Sequence, residues 1–150
     1  MTLSDYDNPI TVMPTKESVQ GDGLKDVFKQ YQALATETSA DIKHYSNISD
    51  SLLTLGREDL GAYRKDYVIG GDFDQSSIPK IPGLPLPPKL SEGLSIYMLT
   101  GMYNSIPKHS RPLSVNYMSN ALLRHLDGSN SNQRKITTEN HPLPFTFTVT

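Results

Sequence analysis

The sequence predicts an α+β domain: a small mixed β-sheet with about three helices packed on one face and a proline-rich loop between two of its strands. Three observations lead there. Segments with apolar residues at three- and four-residue spacing are interleaved with segments rich in β-branched and aromatic residues. The interleaving has no fixed period and no internal duplication, which argues against a regular βαβ array or a solenoid. A length of 150 residues with 36% hydrophobic content suits one modest core, so residues 1–150 are read as a single domain.

Taken in order, Asn8-Pro9 and Met13-Pro14 frame the first extended segment. Proline lacks a ladder donor and restricts its predecessor, so Ile10 to Met13 is expected as a short edge strand. Leu24, Val27, Phe28, Tyr31 and Leu34 form one apolar stripe of a helix capped at Asp22 or Gly23 and ending near Thr38. Asp41 to Ser46 alternates weakly, as a strand does. Ser49 or Asp50 can cap a second helix running through Leu52, Leu53 and Leu55 toward Leu60, with Gly56 and Gly61 limiting its length.

Tyr63 to Phe73 reads as a strand in which Gly70-Gly71 marks a bulge or a close backbone approach. Residues 76–90 hold Pro79, Pro82, Pro85, Pro87 and Pro88 and are expected as a stiff, donor-poor connector. Leu94 to Tyr103 is the clearest strand. Ser110 as cap and Pro112 in the first turn then start a third helix through Leu113, Tyr117, Ala121 and Leu126, which Gly128 ends. Lys135 to Glu139 is expected as a returning strand. From Pro142 onward the tail alternates Phe145, Phe147 and Val149 with threonine, a pattern for an edge strand or a tether.

Composition narrows the function. A net charge of −2 with both signs interspersed gives no footprint for a nucleic-acid backbone or an anionic membrane surface. There is no cysteine, so neither a disulfide nor a thiolate metal site can form. No run approaches the apolar length of a membrane span, and the first twenty residues lack the pattern of a secretory signal. An exterior location is therefore expected only if the chain is an excised piece of a larger protein.

Chemical motifs are sparse. His44, His109, His125 and His141 have no zinc-ligand spacing, and no metal site is expected. His109-Ser110 is an adjacent pair, which does not by itself give nucleophile–base geometry; a hydrolase using His109 stays as a rival reading. Asp72 and Asp74 beside Gly70-Gly71 lack the ligand order of a calcium loop and are read as a solvated turn. No glycine-rich phosphate loop or nucleophile elbow is present. Asn47-Ile48-Ser49 is an N-glycosylation acceptor, which makes Asn47 a candidate modified residue.

One stretch is more specific. Tyr103-Asn104-Ser105-Ile106-Pro107-Lys108-His109-Ser110 continues into Val115-Asn116 and Asn120-Ala121-Leu122-Leu123-Arg124, followed by Ile136-Thr137 and Asn140-His141-Pro142-Leu143. In order and spacing this resembles the second extracellular domain of subfamily A ATP-binding cassette transporters, the lipid-exporter class. There an aromatic–Asn strand end leads through a histidine to a helix closing in Asn-Ala-aliphatic-aliphatic-Arg, and then to an Asn-His-Pro-Leu run before a membrane helix. Upstream, Asn47 to Leu55 and Tyr67 to Phe73 resemble the same domain more loosely. Ser105, Lys108 and the missing cysteines depart from the family pattern and suit an invertebrate or divergent member.

The resemblance implies a non-catalytic extracellular or lumenal domain with Tyr103, Asn104, His109, Asn116, Asn120, Arg124, Asn140, His141 and Pro142 as scaffold. ATP and magnesium would bind cytoplasmic domains elsewhere in the parent protein, and this chain would need no cofactor. Its partners would be the other extracellular domain, the membrane helices of the same transporter and a lipid. Residues 144–150 would lead toward a membrane helix. Lipid contact would fall on apolar residues without a helix or strand face: Ile81, Leu84 and Leu86 of the proline loop, and Phe145 and Phe147 of the tail. The alternative is a stand-alone interaction or ligand-binding module of the cell surface.

Overall fold

A computed structural model describes residues 2–78, 94–128 and 134–139. The protein is an α+β domain built on one four-stranded mixed sheet. Strand β1 (Ile10–Pro14) is followed by helix α1 (Asp22–Glu37) and β2 (Asp41–Tyr45). Helices α2 (Ile48–Glu58) and α3 (Leu60–Lys65) then lead to β3 (Tyr67–Ile78), β4 (Leu94–Tyr103) and α4 (Ser110–Asp127). The strand order is β2-β1-β3-β4; β1 is parallel to both β2 and β3, and β3 is antiparallel to β4. Parallel neighbours need a crossover, and α1 supplies the first while α2 with α3 supplies the second.

Helices cover both faces of the sheet, not one as expected. Leu24, Phe28, Tyr31 and Leu34 of α1 and Leu113, Tyr117 and Ala121 of α4 share a core with Met13, Ile69 and Phe73. Ile48, Leu52 and Leu55 of α2 pack with Val12, Tyr67 and Met102 in a second cluster. Because neighbouring side chains of a strand point to opposite faces, Val12 and Met13 serve the two layers in turn. In the larger core, Phe28 and Tyr31 meet Phe73 edge-on, with ring centroids 5.5 and 5.7 Å apart, an arrangement that aligns the positive ring edge with the negative face.

β1 is a central strand, which corrects the edge assignment. Pro9 precedes the ladder and Pro14 ends it, so the four residues between keep their donors; the Ile10 amide bonds Asp66 O at 2.7 Å. The bulge expected near the glycines falls just before them. Ile10 pairs with Tyr67 and Thr11 with Ile69, which leaves Val68 as the extra residue. Gly70 and Gly71 are instead sites of close approach. A Cβ on Gly70 would lie 3.0 Å from Val12 O, and one on Gly71 would lie 3.1 Å from the Tyr31 ring.

Other boundaries move for local reasons. The cap of α1 is Gly21, at φ 88°, in place of Asp22 or Gly23. Asn47 caps α2 in place of Ser49 or Asp50, its Oδ1 accepting from the Asp50 amide. The second predicted helix is two helices, because Asp59 caps a new turn by accepting from the Ala62 amide at 3.0 Å. Tyr63 therefore belongs to α3, and β3 runs from Tyr67 to Ile78. Asp72 and Asp74 lie within that strand, opposite Thr100 and Met98, and not in a turn. His109, not Ser110, is the N-cap of α4, at φ 67°. The 3.0 Å-scale approach recurs at Gly101, where α4 sits on β4 and a Cβ would meet Ser114 Oγ at 2.9 Å.

Lys135 to Glu139 forms no strand; it is an extended segment fastened by side chains. Residues 76–78 of the expected proline-rich connector belong to β3, and the rest of it, 79–90 with Ile81, Leu84 and Leu86, lies outside the described residues. So do Asn140, His141 and Pro142 and the tail with Phe145 and Phe147.

Candidate functional site

The residues singled out between Tyr103 and Arg124 sit along one path, from the end of β4, up α4, to the segment that follows it. Asn104 is the first fixed point. Its side-chain amide donates to Tyr63 O at 2.8 Å and Tyr67 O at 2.9 Å, while its Oδ1 accepts from the Ile106 amide at 3.1 Å. Its own backbone amide donates to Val68 O, and its carbonyl accepts from the Ser110 hydroxyl. One side chain thus ties α3, β3 and the β4–α4 turn together, and each bond satisfies a backbone group that the chain reversal leaves without a ladder partner.

Tyr103, just before it, is exposed. Its hydroxyl accepts from Arg111 Nη2 at 2.6 Å, and the guanidinium carbon lies 4.9 Å from the ring centroid. His109 is exposed, and the buried Ser110 hydroxyl is directed at Asn104 O. The two neighbours therefore do not form a nucleophile–base pair.

Asn116 and Asn120 stand one turn apart on the same side of α4, 9% and 3% exposed. Both amides donate to Ile136 O, at 2.8 and 2.9 Å, and Asn120 Oδ1 accepts from the Ile136 amide at 2.8 Å. Asn120 also donates to Asn116 O, so a polar pair on a helix side that faces protein is fully used. Arg124, one turn further on, makes two hydrogen bonds to Glu37 at the end of α1, at 2.8 and 2.9 Å. That forked contact pulls the Glu37 carboxyl below the usual glutamate value. His125 Nδ1 lies 2.6 Å from Asp26 Oδ2, so the end of α4 is fastened to both halves of α1.

A cleft of about 490 Å³ lies between α1, α4 and the 134–139 segment. Asn116, Asn120 and Arg124 line it, and so do Thr2 and residues Lys135 to Thr138, so the first and last described stretches of the chain meet there. Tyr117 contributes through its hydroxyl, which lies 3.2 Å from the Leu3 amide and 2.7 Å from Thr38 Oγ1; burial raises its pKa.

A second cleft, of about 330 Å³, opens on the other face of the sheet between α2, α3 and the base of the β3–β4 hairpin. Leu52, Tyr63, Tyr67, Met102 and Tyr103 line it, with Asn104 at its edge. The Tyr67 hydroxyl is 3.1 Å from that of Tyr45, and burial followed by that hydrogen bond raises its pKa strongly. Asn104 spends its polar atoms on backbone groups, so the cleft presents mainly aromatic and aliphatic surface.

Asn47 is exposed at the start of α2, its Nδ2 2.6 Å from Asp50 Oδ2. Among the described residues no group of three or more His, Asp or Glu side chains is placed to hold a metal ion, and no helix is long and apolar enough to cross a membrane. Glu37, Thr38 and Tyr117 belong to the α1–α4 site and were not singled out as site residues. Glu37 and Arg124 are 87 positions apart, and nothing local marks either as a partner of the other.

No family model matches the chain, and no curated protein or solved structure is similar enough to count as a relative.

Proposed function

We propose that this chain is a non-catalytic extracellular or lumenal domain of a subfamily A ATP-binding cassette lipid transporter. The observation that carries the reading is the meeting of Thr2 with Lys135 to Thr138 around one cleft. A domain inserted between two membrane helices must return its chain to the membrane it left, and two stretches far apart in sequence lining one cleft suit that requirement. The matched residues Asn104, Asn116, Asn120 and Arg124 add support, since each holds the chain path and none is aimed at a shared reactive point. The domain's work is then mechanical or conductive: it passes movement between the membrane helices and the exterior, or forms part of an external lipid path, with Ile81, Leu84, Leu86, Phe145 and Phe147 as lipid-contact candidates and Asn47 as a glycan acceptor.

Fractionation of the source cells tests this. An antibody to the chain is expected to detect, in membranes that resist alkaline extraction, a protein several times larger than the chain itself. A band of the chain's own mass in the soluble fraction overturns the reading and favours a stand-alone interaction module. Within the transporter, Ile81, Leu84 and Leu86 all changed to serine are expected to lower lipid export; unchanged export removes the loop from the lipid path.

A further inference from the structure

We infer that the free edge of β4 pairs antiparallel with β4 of a second copy of this chain, joining two four-stranded sheets into one of eight strands around a two-fold axis. Among the described residues β4 is the outer strand of the sheet, ten residues long, with no charged residue, no proline and no bulge in its register with β3. Charge, proline, bulges and short length are means by which folded chains keep an edge from pairing, and β4 has none of these four. The opposite edge is protected: β2 is five residues long and carries Asp41 and Lys43. Ser95, Ile96, Tyr97 and Met98 are all exposed, Met98 by 55%. Tyr97 shares a face with Leu99, which packs against the α1–α4 core, and Ile96 and Met98 lie on the other, so the exposed strand is apolar on both faces.

The neighbouring helix matches a copy of itself. Val115, Leu122 and Leu126 of α4 are exposed, and their spacing of two turns and then one puts them in a single stripe. Leu113, Tyr117 and Ala121 turn toward the α1–α4 core, Asn116 and Asn120 toward Ile136, and Arg111, one turn before Val115, lies over the Tyr103 ring of β4. The stripe is therefore on the side of α4 away from α1, above the free edge. Helix α4 sits over both strands of the hairpin, with Ser114 against Gly101 of β4 and Met118 against Gly71 of β3. Strands lie about 4.8 Å apart, so a two-fold axis beside β4 is about 5 Å from α4 and sets the two copies of α4 about 10 Å apart. That is the separation of packed helices, and it brings the two stripes together. Neither stripe nor edge carries a charge, so a second copy leaves none buried without a partner. A lone extended peptide would pair with the strand but brings no helix to cover Leu126, which is 73% exposed. The pairing is independent of the transporter reading.

Sedimentation equilibrium of the full chain, from micromolar to near-millimolar concentration, tests it. The mass is expected to rise from that of one chain to that of two and to go no further, because a two-fold pairing closes. Met98→Lys on β4 and Leu122→Lys on α4 are each expected to raise the dissociation constant by about tenfold or more, while Leu53→Lys leaves it within about twofold. Leu53 is the control because it is 60% exposed on α2, away from the proposed contact. The mass of one chain at every concentration overturns the inference and leaves the edge to a different protein or to a segment of the same chain. A dimer that survives both lysine variants, or one that Leu53→Lys weakens as much, overturns it too. In the unmodified chain, amide exchange along Ser95 to Gly101 is expected to slow as concentration rises while exchange along β2 stays constant; unchanged exchange in β4 overturns the inference even where a variant fails to fold.

Discussion

The Asn104 side chain donates to the carbonyls of both Tyr63 and Tyr67, and so fixes the end of α3 and the start of β3 to the end of β4 with one carboxamide. Asn104→Ala removes both donors and the acceptor for Ile106, and is expected to lower stability by about 2–3 kcal/mol. Asn104→Asp keeps the acceptor and lacks both donors, so it is expected to be at least as damaging. Urea denaturation of the three proteins checks the order.

Gly101 leaves room for α4 on β4. Gly101→Ala is expected to cost about 1–3 kcal/mol, because the new methyl meets Ser114 Oγ and pushes it from Met102 O, to which it donates at 2.8 Å. Ser114→Ala removes the obstructing oxygen. In a double-mutant cycle the pair is expected to lose less stability than the two single changes added together.

Tyr31 is fully buried, and its hydroxyl has no hydrogen-bond partner among the described residues. Tyr31→Phe removes an unsatisfied polar group and keeps the ring against Phe73, so stability is expected to stay level or rise by up to about 1 kcal/mol in thermal or urea unfolding. A clear loss would mean that the hydroxyl is bonded in solution.

The pH dependence has two branches. Hydrogen bonding to Arg124 lowers the folded-state pKa of Glu37, so its contribution is present above the ordinary glutamate value and disappears as pH falls through the folded one. The stability gap between the unmodified chain and Glu37→Gln is expected to be widest near neutral pH and to close on acidification; it is small, since the Glu37 side chain is about half exposed. Burial raises Tyr31, Tyr67 and Tyr117 instead, so their contribution is complete below the ordinary tyrosine value and is lost as pH rises beyond it. Ultraviolet titration is expected to show these three ionising only as the fold is lost.

Amphipathic helices were the most legible part of the sequence, because Leu24, Phe28, Tyr31 and Leu34 fix a helical face whatever the neighbours do. The strand β4 was legible for a similar local reason. Position within the sheet was not. Pro9 and Pro14 suggest an edge to a reader of the sequence, but they lie at the limits of β1, and strand order depends on where α1 and α2 cross. The split at Asp59 was hidden because a capping aspartate at the end of the charged run Arg57-Glu58-Asp59 looks like any exposed helical aspartate.

At the site, the residues of the Tyr103–Arg124 stretch were visible as a motif, but their contacts were not. Extended alternation around Ile136 fits a segment paired with a strand as well as one paired with asparagine side chains. Only the folded chain brings Glu37 to Arg124 and sets Thr2 and Thr138 around one cleft.

The central claim is tested most directly by the source transcript on either side of the codons for Met1 and Thr150. The transporter reading predicts that the frame continues in both directions into apolar segments of about twenty residues, with a phosphate-binding glycine-rich loop further downstream. A stop codon directly after Thr150 would contradict it.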